Sequence, residues 1–474
     1  MAELLKPDIC VIGGGSGGLS VAAAAAAFGV SVVLVEKGRM GGDCLNYGCV
    51  PSKALIAAAQ RAIGDATGGV FGIDADARLD YGRLHKHIHK VIAAIAPNDS
   101  AQRFTGLGVR VIAGTARFIN RLTVAVGSDI EIMAGRFVIA TGSAPAIPAI
   151  PGLAETPYLT NETIFGLTEL PAHLVVVGAG AIGLELGQAF CRLGAEVSII
   201  EAAQPLAQDD PECVQVVRDA LAREGVAILT GTTVRSVRRA GSGIEVAVTR
   251  GDEQETIAAS HLLLAAGRVP RLELLDLRKA RIRHNKAGIT VNRRLQTSNG
   301  RVYAVGDVVA GAPKFTHVAN YHAGLVIRHA LFRLRTRVRY DQIPRVTFTD
   351  PELAHIGLTD AQAKAQRYKI RILRWPYHEN DRAQAERTTE GHVKVVTDRR
   401  GRILGATIVG AHAGELIAPW TLAITQGLNI RAMAEVVAPY PTLGEVNKRA
   451  AMTFFSLAAA NPKVRWIVRW LRRG

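Results

Sequence analysis

The chain has 474 residues and carries 57 Lys and Arg against 41 Asp and Glu, a net charge of +16, with 48% hydrophobic residues, 5% aromatics and 48 glycines. Such a length implies about three domains with ample core, and the Ala-, Gly- and Val-rich balance suits an α/β enzyme better than an all-β or fibrous protein. The positive surplus would attract nucleic acid, anionic lipid or acidic substrates, but no helix-turn-helix, zinc-finger or aromatic RNA-binding pattern accompanies it, so no nucleic-acid partner is expected.

In chain order, Ile9 to Ile12 is an unbroken apolar run, the mark of a strand buried on both faces. It leads into Gly13, Gly14, Gly15, Ser16, Gly17 and Gly18, then an Ala-rich helix to Phe28 and a second buried strand from Ser31 to Val35 that ends at Glu36. This is a βαβ unit with G-x-G-x-x-G at its first turn. The glycines let a pyrophosphate approach the backbone at a helix N-terminus, and Glu36 can accept hydrogen bonds from a ribose. Met1 to Lys6 has no apolar core of signal length, and no run nears the ~18 apolar residues of a spanning helix. A cytoplasmic location is therefore expected.

Next comes GGDCLNYGCVPSK, Gly41 to Lys53, with Cys44 and Cys49 in a chain of only five cysteines. A distorted helix start can bring two such sulfurs together as a disulfide, while two unrelated buried thiols remain the alternative. A sparse, odd cysteine count argues against a secreted disulfide scaffold. Helices are expected over Leu55 to Ile63 and from Tyr81 to Gly106. His85, His87 and His89 are spaced by two, which does not place three ligands on one helix face, so no metal is expected. Short β-rich runs follow from Val109 to Val138 and close in Phe137 to Ser143, FVIATGS, before a Pro-rich boundary at Ala144 to Gly152. Cys10, Cys191 and Cys213 are expected to be ordinary thiols.

The first pattern then repeats. Leu174 to Val177 is a buried strand, followed by Gly178, Ala179, Gly180, Ala181, Ile182 and Gly183, a helix to Leu193, a strand Glu196 to Ile200 and Glu201; Gly13, Gly18 and Glu36 map onto Gly178, Gly183 and Glu201 with a constant offset of 165. Two such folds imply two dinucleotides. Glu201 would bond a free 2′-hydroxyl and repel a 2′-phosphate, and Ala202, Ala203 and Gln204 supply no arginine, so NADH is expected over NADPH. Leu262 to Gly267, LLLAAG, closes this second unit, and Arg301 to Gly311, RVYAVGDVVAG, is expected to be a strand ending at Gly306 and Asp307.

Taken together, the two glycine motifs, the CLNYGC segment, the ATG turn and the VYAVGD segment resemble the FAD-dependent pyridine nucleotide-disulfide oxidoreductases. Dihydrolipoamide dehydrogenase and the catalytic core of mercuric reductase are the members nearest in pattern. The resemblance implies two Rossmann-like domains and a C-terminal α+β dimerisation domain. FAD would bind residues 1–150 and 271–340, NAD(P)H residues 151–270, and residues 341–460 would form a homodimer. It implies FAD contacts at Gly13, Gly15, Ser16, Gly17, Gly18, Glu36, Lys37, Gly42, Asp43, Lys53, Ala116, Thr141, Gly142, Asp307 and His317. Nicotinamide dinucleotide contacts would come from Gly178, Gly180, Ala181, Ile182, Gly183, Glu201, Val234, Ala266 and Gly267. Cys44 would be the outer, interchange thiol and Cys49 the thiol against the flavin, while Lys53 and Glu185 match a pair near flavin N5. Electrons would pass from NADH through FAD to a Cys44–Cys49 disulfide and on to a disulfide or thiophilic metal acceptor.

The chain departs from that pattern near its C-terminus. Where lipoamide and glutathione reductases carry His-Pro-x-x-x-Glu, this chain has Tyr440, Pro441 and Glu445. A phenol titrates near ~10 against ~6.5 for imidazole, which makes Tyr440 a poor proton shuttle. Tyrosine here is similar to mercuric reductase, yet no cysteine follows Cys213 and the C-terminal cysteine pair of that enzyme is missing. A dihydrolipoamide dehydrogenase that tolerates Tyr440 stays open as an alternative. So does a membrane-docked electron-delivery or redox-sensing subunit, because residues 461–474 combine Val464, Ile467, Val468 and Leu471 with Arg465, Arg469, Arg472, Arg473, Trp466 and Trp470. That mixture fits either a helix on the dimer surface or a contact with the inner membrane surface.

Overall fold

The computed structural model describes residues 2–66, 71–72, 78–460 and 462–472, so Asn461, Arg473 and Gly474 of the basic tail lie outside the described residues. It divides into two compact units, one of Met1–Gly178, Ala189–Ile200 and Thr232–Tyr340, the other of Ala179–Gln188, Glu201–Gly231 and Asp341–Gly474.

In the first unit, Ile9–Ile12 forms the centre of a five-stranded sheet. Its order is Val302–Ala304, Arg136–Ile139, Ile9–Ile12, Val32–Glu36, Val109–Ala113, and every neighbouring pair is parallel. All four residues of Ile9–Ile12 are buried, Cys10 among them, which is why the run shows no alternation. The chain leaves this strand through Gly13 at φ +111°, where a Cβ would stand 2.4 Å from the Ala140 oxygen, so no other residue fits. Helix Ser16–Ala27 follows and packs against helix Thr316–Ala330. A second parallel set runs from His173↔Glu196 to Val177↔Ile200, with His261–Leu264 on the other side of His173–Val177. The rest of this unit includes an antiparallel meander of Thr232–Ala240, Gly243–Arg250 and Glu253–Ala259.

The second unit holds a five-stranded antiparallel sheet ordered Arg345–Thr347, Glu352–Gly357, Ile403–Gly410, His392–Asp398, Ile370–Pro376. Helix Glu445–Ala460 packs on it, and the core between contains Tyr377, Ile408 and Trp420 with no exposed surface. The Trp420 indole N–H is not stranded there, because it donates to Asn447 Oδ1 at 2.7 Å. The molecule is thus α/β with parallel nucleotide-binding sheets followed by an α+β C-terminal region.

Two expected elements differ. The helix expected from Tyr81 to Gly106 is broken into Tyr81–Ile95, a 3₁₀ turn Ala96–Asp99 and Ala101–Gly106. Pro97 has no N–H for the helical ladder, and Ser100 restarts the helix by accepting from Arg103 N. The strand expected over Arg301 to Gly311 stops at Ala304, and Gly306–Val308 forms a 3₁₀ turn. Gly306 has φ +71°, a conformation that takes the chain out of the strand.

Candidate active site

The cysteines sit on two short-spaced helices. Gly41, left-handed at φ 86°, starts helix Gly42–Asn46, which breaks at Tyr47 before helix Cys49–Ala66 begins with the second cysteine. This break is the distorted helix start that brings the two side chains together. Both are free thiols here, and Cys44 hydrogen-bonds to Cys49. That bond pulls the Cys49 thiol down to about 6, aided by the Thr316 hydroxyl and the positive charge of Lys53 and opposed by burial. Cys44 moves the opposite way, because it keeps its proton for its neighbour. The Cys49 Sγ lies 3.3 Å from Thr316 Oγ1, and Thr316 is the first residue of the 15-residue helix Thr316–Ala330. The positive end of that helix further favours a thiolate at Cys49.

A polar network supports this centre from residues distant in sequence. The Arg268 side chain is 12% exposed and lies 3.1 Å from Asp43 Oδ1 and 3.8 Å from Asp307 Oδ2. Its Nε donates to Ser143 Oγ at 2.7 Å, and that hydroxyl donates to Asp307 Oδ2 at 2.6 Å. Asn161 Nδ2 donates to Asp43 Oδ1 at 3.1 Å and to the Tyr47 carbonyl at 3.2 Å. Lys314 donates to the Arg268 carbonyl, and burial pushes its ammonium pKa down against the pull of Asp307. Two expected residues, Asp43 and Asp307, therefore share one cation. Sequence reading missed Arg268, Asn161, Ser143, Lys314 and Thr316. The LLLAAG run had been followed only to Gly267, one residue short of Arg268.

The glycine turns repeat down to their hydrogen bonds. The Glu36 carboxylate accepts from Gly14 N and Gly38 N, and the Glu201 carboxylate accepts from Ala179 N and Ala203 N at 2.8 Å each. Each donor and acceptor recurs with the offset of 165 found in the motifs. Some glycines serve the chain itself, since a Cβ on Gly18 would stand 1.9 Å from Gly13 O and one on Gly42 would stand 2.6 Å from Gly15 Cα. Others face room, since a Cβ on Gly142, Gly180 or Gly267 meets nothing within 4 Å. Close backbone packing on one side and open space on the other is what a dinucleotide's phosphates require.

The remaining expected residues are placed as follows. Ser16 and Gly17 open helix Ser16–Ala27. Lys37 is exposed just beyond Glu36, Thr141 donates to the Arg271 carbonyl at 2.8 Å, and His317 stacks on Phe315 with centroids 5.2 Å apart. Ala116 is buried in strand Ala116–Phe118, Val234 lies at a bulge in Thr232–Ala240, and Ala266 is exposed beside Gly267. Lys53 belongs to the first unit and Glu185 to the second, where buried Glu185 accepts from Phe348 N at 2.9 Å. Ala181 and Ile182 begin helix Ala181–Arg192, with Gly183 buried in its first turn. Tyr440 is 71% exposed and donates to Asp381 Oδ2 at 2.8 Å, while Glu445 pairs with Arg449 at 2.7 Å. The histidines of Tyr81–Ile95 are turned differently, with the His85 and His89 rings 4.4 Å apart and His89 Nε2 against the Phe165 carbonyl.

Comparison with known proteins places these features together. Residues 7–323 match the family model described as pyridine nucleotide-disulphide oxidoreductase, and residues 343–451 match the dimerisation domain of the same family. Mercuric reductase of Streptomyces lividans is 37% identical over 461 residues, covering 95% of this chain and 96% of that protein. Dihydrolipoyl dehydrogenase of Staphylococcus aureus is 34% identical over 455 residues, with 94% and 96% covered. Among solved structures, LpdA from Mycobacterium tuberculosis superposes with a TM-score of 0.87 at 27% identity, covering 95% of this chain and 99% of LpdA. The Cu(II) complex of the HOCl-induced flavoprotein disulfide reductase RclA from Escherichia coli gives 0.85 at 26% identity, covering 94% and 99%.

Proposed function

Because the chain belongs to the pyridine nucleotide-disulphide oxidoreductase family, we propose that it is an NADH-driven reductase whose outlet is the Cys44–Cys49 pair and whose acceptor is a thiophilic metal ion or a disulfide. The coarser statement is secure, namely an FAD-dependent oxidoreductase that uses a pyridine nucleotide. Bound FAD supplies two-electron chemistry between a reduced nicotinamide and sulfur. For FAD, the open glycine turn Gly13 to Gly18, Glu36, and the Asp43–Arg268–Asp307 cluster are the residues that fit.

The observation that carries the reading is the polarised cysteine pair. Reduction of a Cys44–Cys49 disulfide takes two electrons and one proton to give the Cys49 thiolate and the Cys44 thiol, the state favoured by their hydrogen bond. Cys44 then supplies the sulfur to the acceptor. Attack on a disulfide needs the Cys44 proton removed and the departing thiolate protonated. Tyr440 is ill-suited to that exchange, since Asp381 pushes its phenol pKa further up. A soft metal ion displaces the thiol proton by itself on binding. This is why a metal acceptor is the favoured form, supported by the mercuric reductase relatives and by the Cu(II) complex of RclA.

NADH is favoured over NADPH because Glu201, held by Ala179 and Ala203, brings a negative charge where a 2′-phosphate would sit. A homodimer is the expected assembly, supported by the match to the dimerisation domain. The tail supports a peripheral membrane contact, with Trp466 at 64% and Trp470 at 65% exposure beside Arg469 and Arg472. The test is NADH oxidation by the FAD-loaded protein with Hg(II), Cu(II), lipoamide, glutathione disulfide and a quinone. Metal-dependent turnover that vanishes in Cys44→Ser supports the assignment; turnover unchanged in that variant contradicts it.

A further inference from the structure

Phe28 caps the end of helix Ser16–Ala27, and Phe332 follows the end of helix Thr316–Ala330. Packing of these helices brings the two rings edge to face with centroids 4.9 Å apart. The pair nevertheless stays in solvent, Phe28 at 60% and Phe332 at 49% exposure, and Leu334 beside them in sequence is 53% exposed. Arg328, Arg333, Arg335 and Arg337 of the same segment are all exposed, and none pairs with a carboxylate among the described residues. An exposed aromatic pair with a leucine and four uncompensated arginines has no role in the site above. Both kinds of group want something that water does not provide.

We propose that this patch docks on the surface of an anionic phospholipid bilayer. The arginines meet lipid phosphates while Phe28, Phe332 and Leu334 enter the acyl boundary. A nucleic acid would satisfy the charge but offers no apolar layer for a leucine, and rings packed edge to face present no stacking platform for successive bases. No helix of the described residues is long and apolar enough to cross a membrane, so the contact is peripheral. The proposal extends the tail reading to a second site in the other unit and rests on different residues. The helix Pro462–Leu471 shows the same mixture, with Leu471 62% and Ile467 47% exposed, yet neither segment needs the other for its chemistry.

The test is co-sedimentation of the full-length FAD-loaded protein with phosphatidylcholine vesicles with and without phosphatidylglycerol. The variants are Arg335→Gln/Arg337→Gln, Phe28→Ser/Phe332→Ser, and a chain ending at Ala460. Wild type is expected to bind only the anionic vesicles, with affinity falling as salt rises. Each arginine removed weakens binding about fivefold, and the phenylalanine pair variant also loses binding, while turnover without vesicles is unchanged in both. Loss confined to the truncated chain leaves the tail reading standing and overturns the patch. Binding of wild type to duplex DNA but not to vesicles also overturns it. Failure of the redox reading shows separately, as missing Cys44-dependent turnover.

Discussion

The two glycine turns are wired alike and lead to different places. Glu36 and Glu201 each accept two backbone N–H groups at matching positions, so the local structure of the repeat is the same. Five residues beyond Glu36 the chain enters the cysteine stretch, whereas beyond Glu201 it passes through Ala202, Ala203 and Gln204 to helix Pro211–Arg223. That helix is capped by buried Asp210, whose Oδ2 lies 2.6 Å from Lys394 Nζ, a side chain 5% exposed. Lys394 also reaches Glu212 at 3.0 Å. One copy of the turn is coupled to reactive sulfur, the other to a buried structural ion pair. Identical nucleotide-binding geometry thus says where a cofactor fits, and the following ten residues say what is done with it.

This contrast can be broken from either side. The largest effect is expected for Cys49→Ser on the first side, a loss of acceptor turnover of at least roughly a thousandfold with NADH binding retained, measured by steady-state kinetics and nucleotide titration. On the second side Lys394→Met leaves Asp210 as an unpaired buried charge and should cost about 3–5 kcal/mol of stability in denaturant unfolding. Adding Asp210→Asn to Lys394→Met should recover much of that loss, and no recovery would show that the pair is not the cause. Tyr440→His should raise lipoamide turnover by roughly a hundredfold, the usual gain from a competent acid–base group. Brisk lipoamide turnover in the unaltered protein would remove the reason for preferring a metal. The smallest effect is expected for Glu201→Gln, about a tenfold shift of kcat/KM toward NADPH.

The parallel strands and glycine turns were readable because doubly buried strands leave unbroken apolar runs and because a tight turn at positive φ admits little but glycine. The cysteine centre was readable for its residue types, and a helix distorted between Cys44 and Cys49 was the right physical expectation. Its support was not readable. Asp43 meets Arg268 only through the fold, and an arginine after LLLAAG carries no local signal of a carboxylate so distant in sequence. Thr316 beside Cys49 is equally silent, as is the transfer of Tyr440 and Glu445 to separate partners, Asp381 and Arg449. The break in the Tyr81 to Gly106 helix could have been read from Pro97 followed by Ser100.

The central claim is that Cys49 leaves the reduced pair as a thiolate held by Cys44, Thr316 and Lys53. Anaerobic titration of the FAD-loaded protein with NADH, followed by absorbance at several pH values, tests it directly. A lowered pKa means that the thiolate dominates above it and is lost as pH falls through it. The account therefore predicts a long-wavelength thiolate-to-flavin band that is full at pH 8, fades around the Cys49 value of about 6, and is missing in Cys49→Ser. No such band at pH 8, or an equal band in Cys49→Ser, would contradict it.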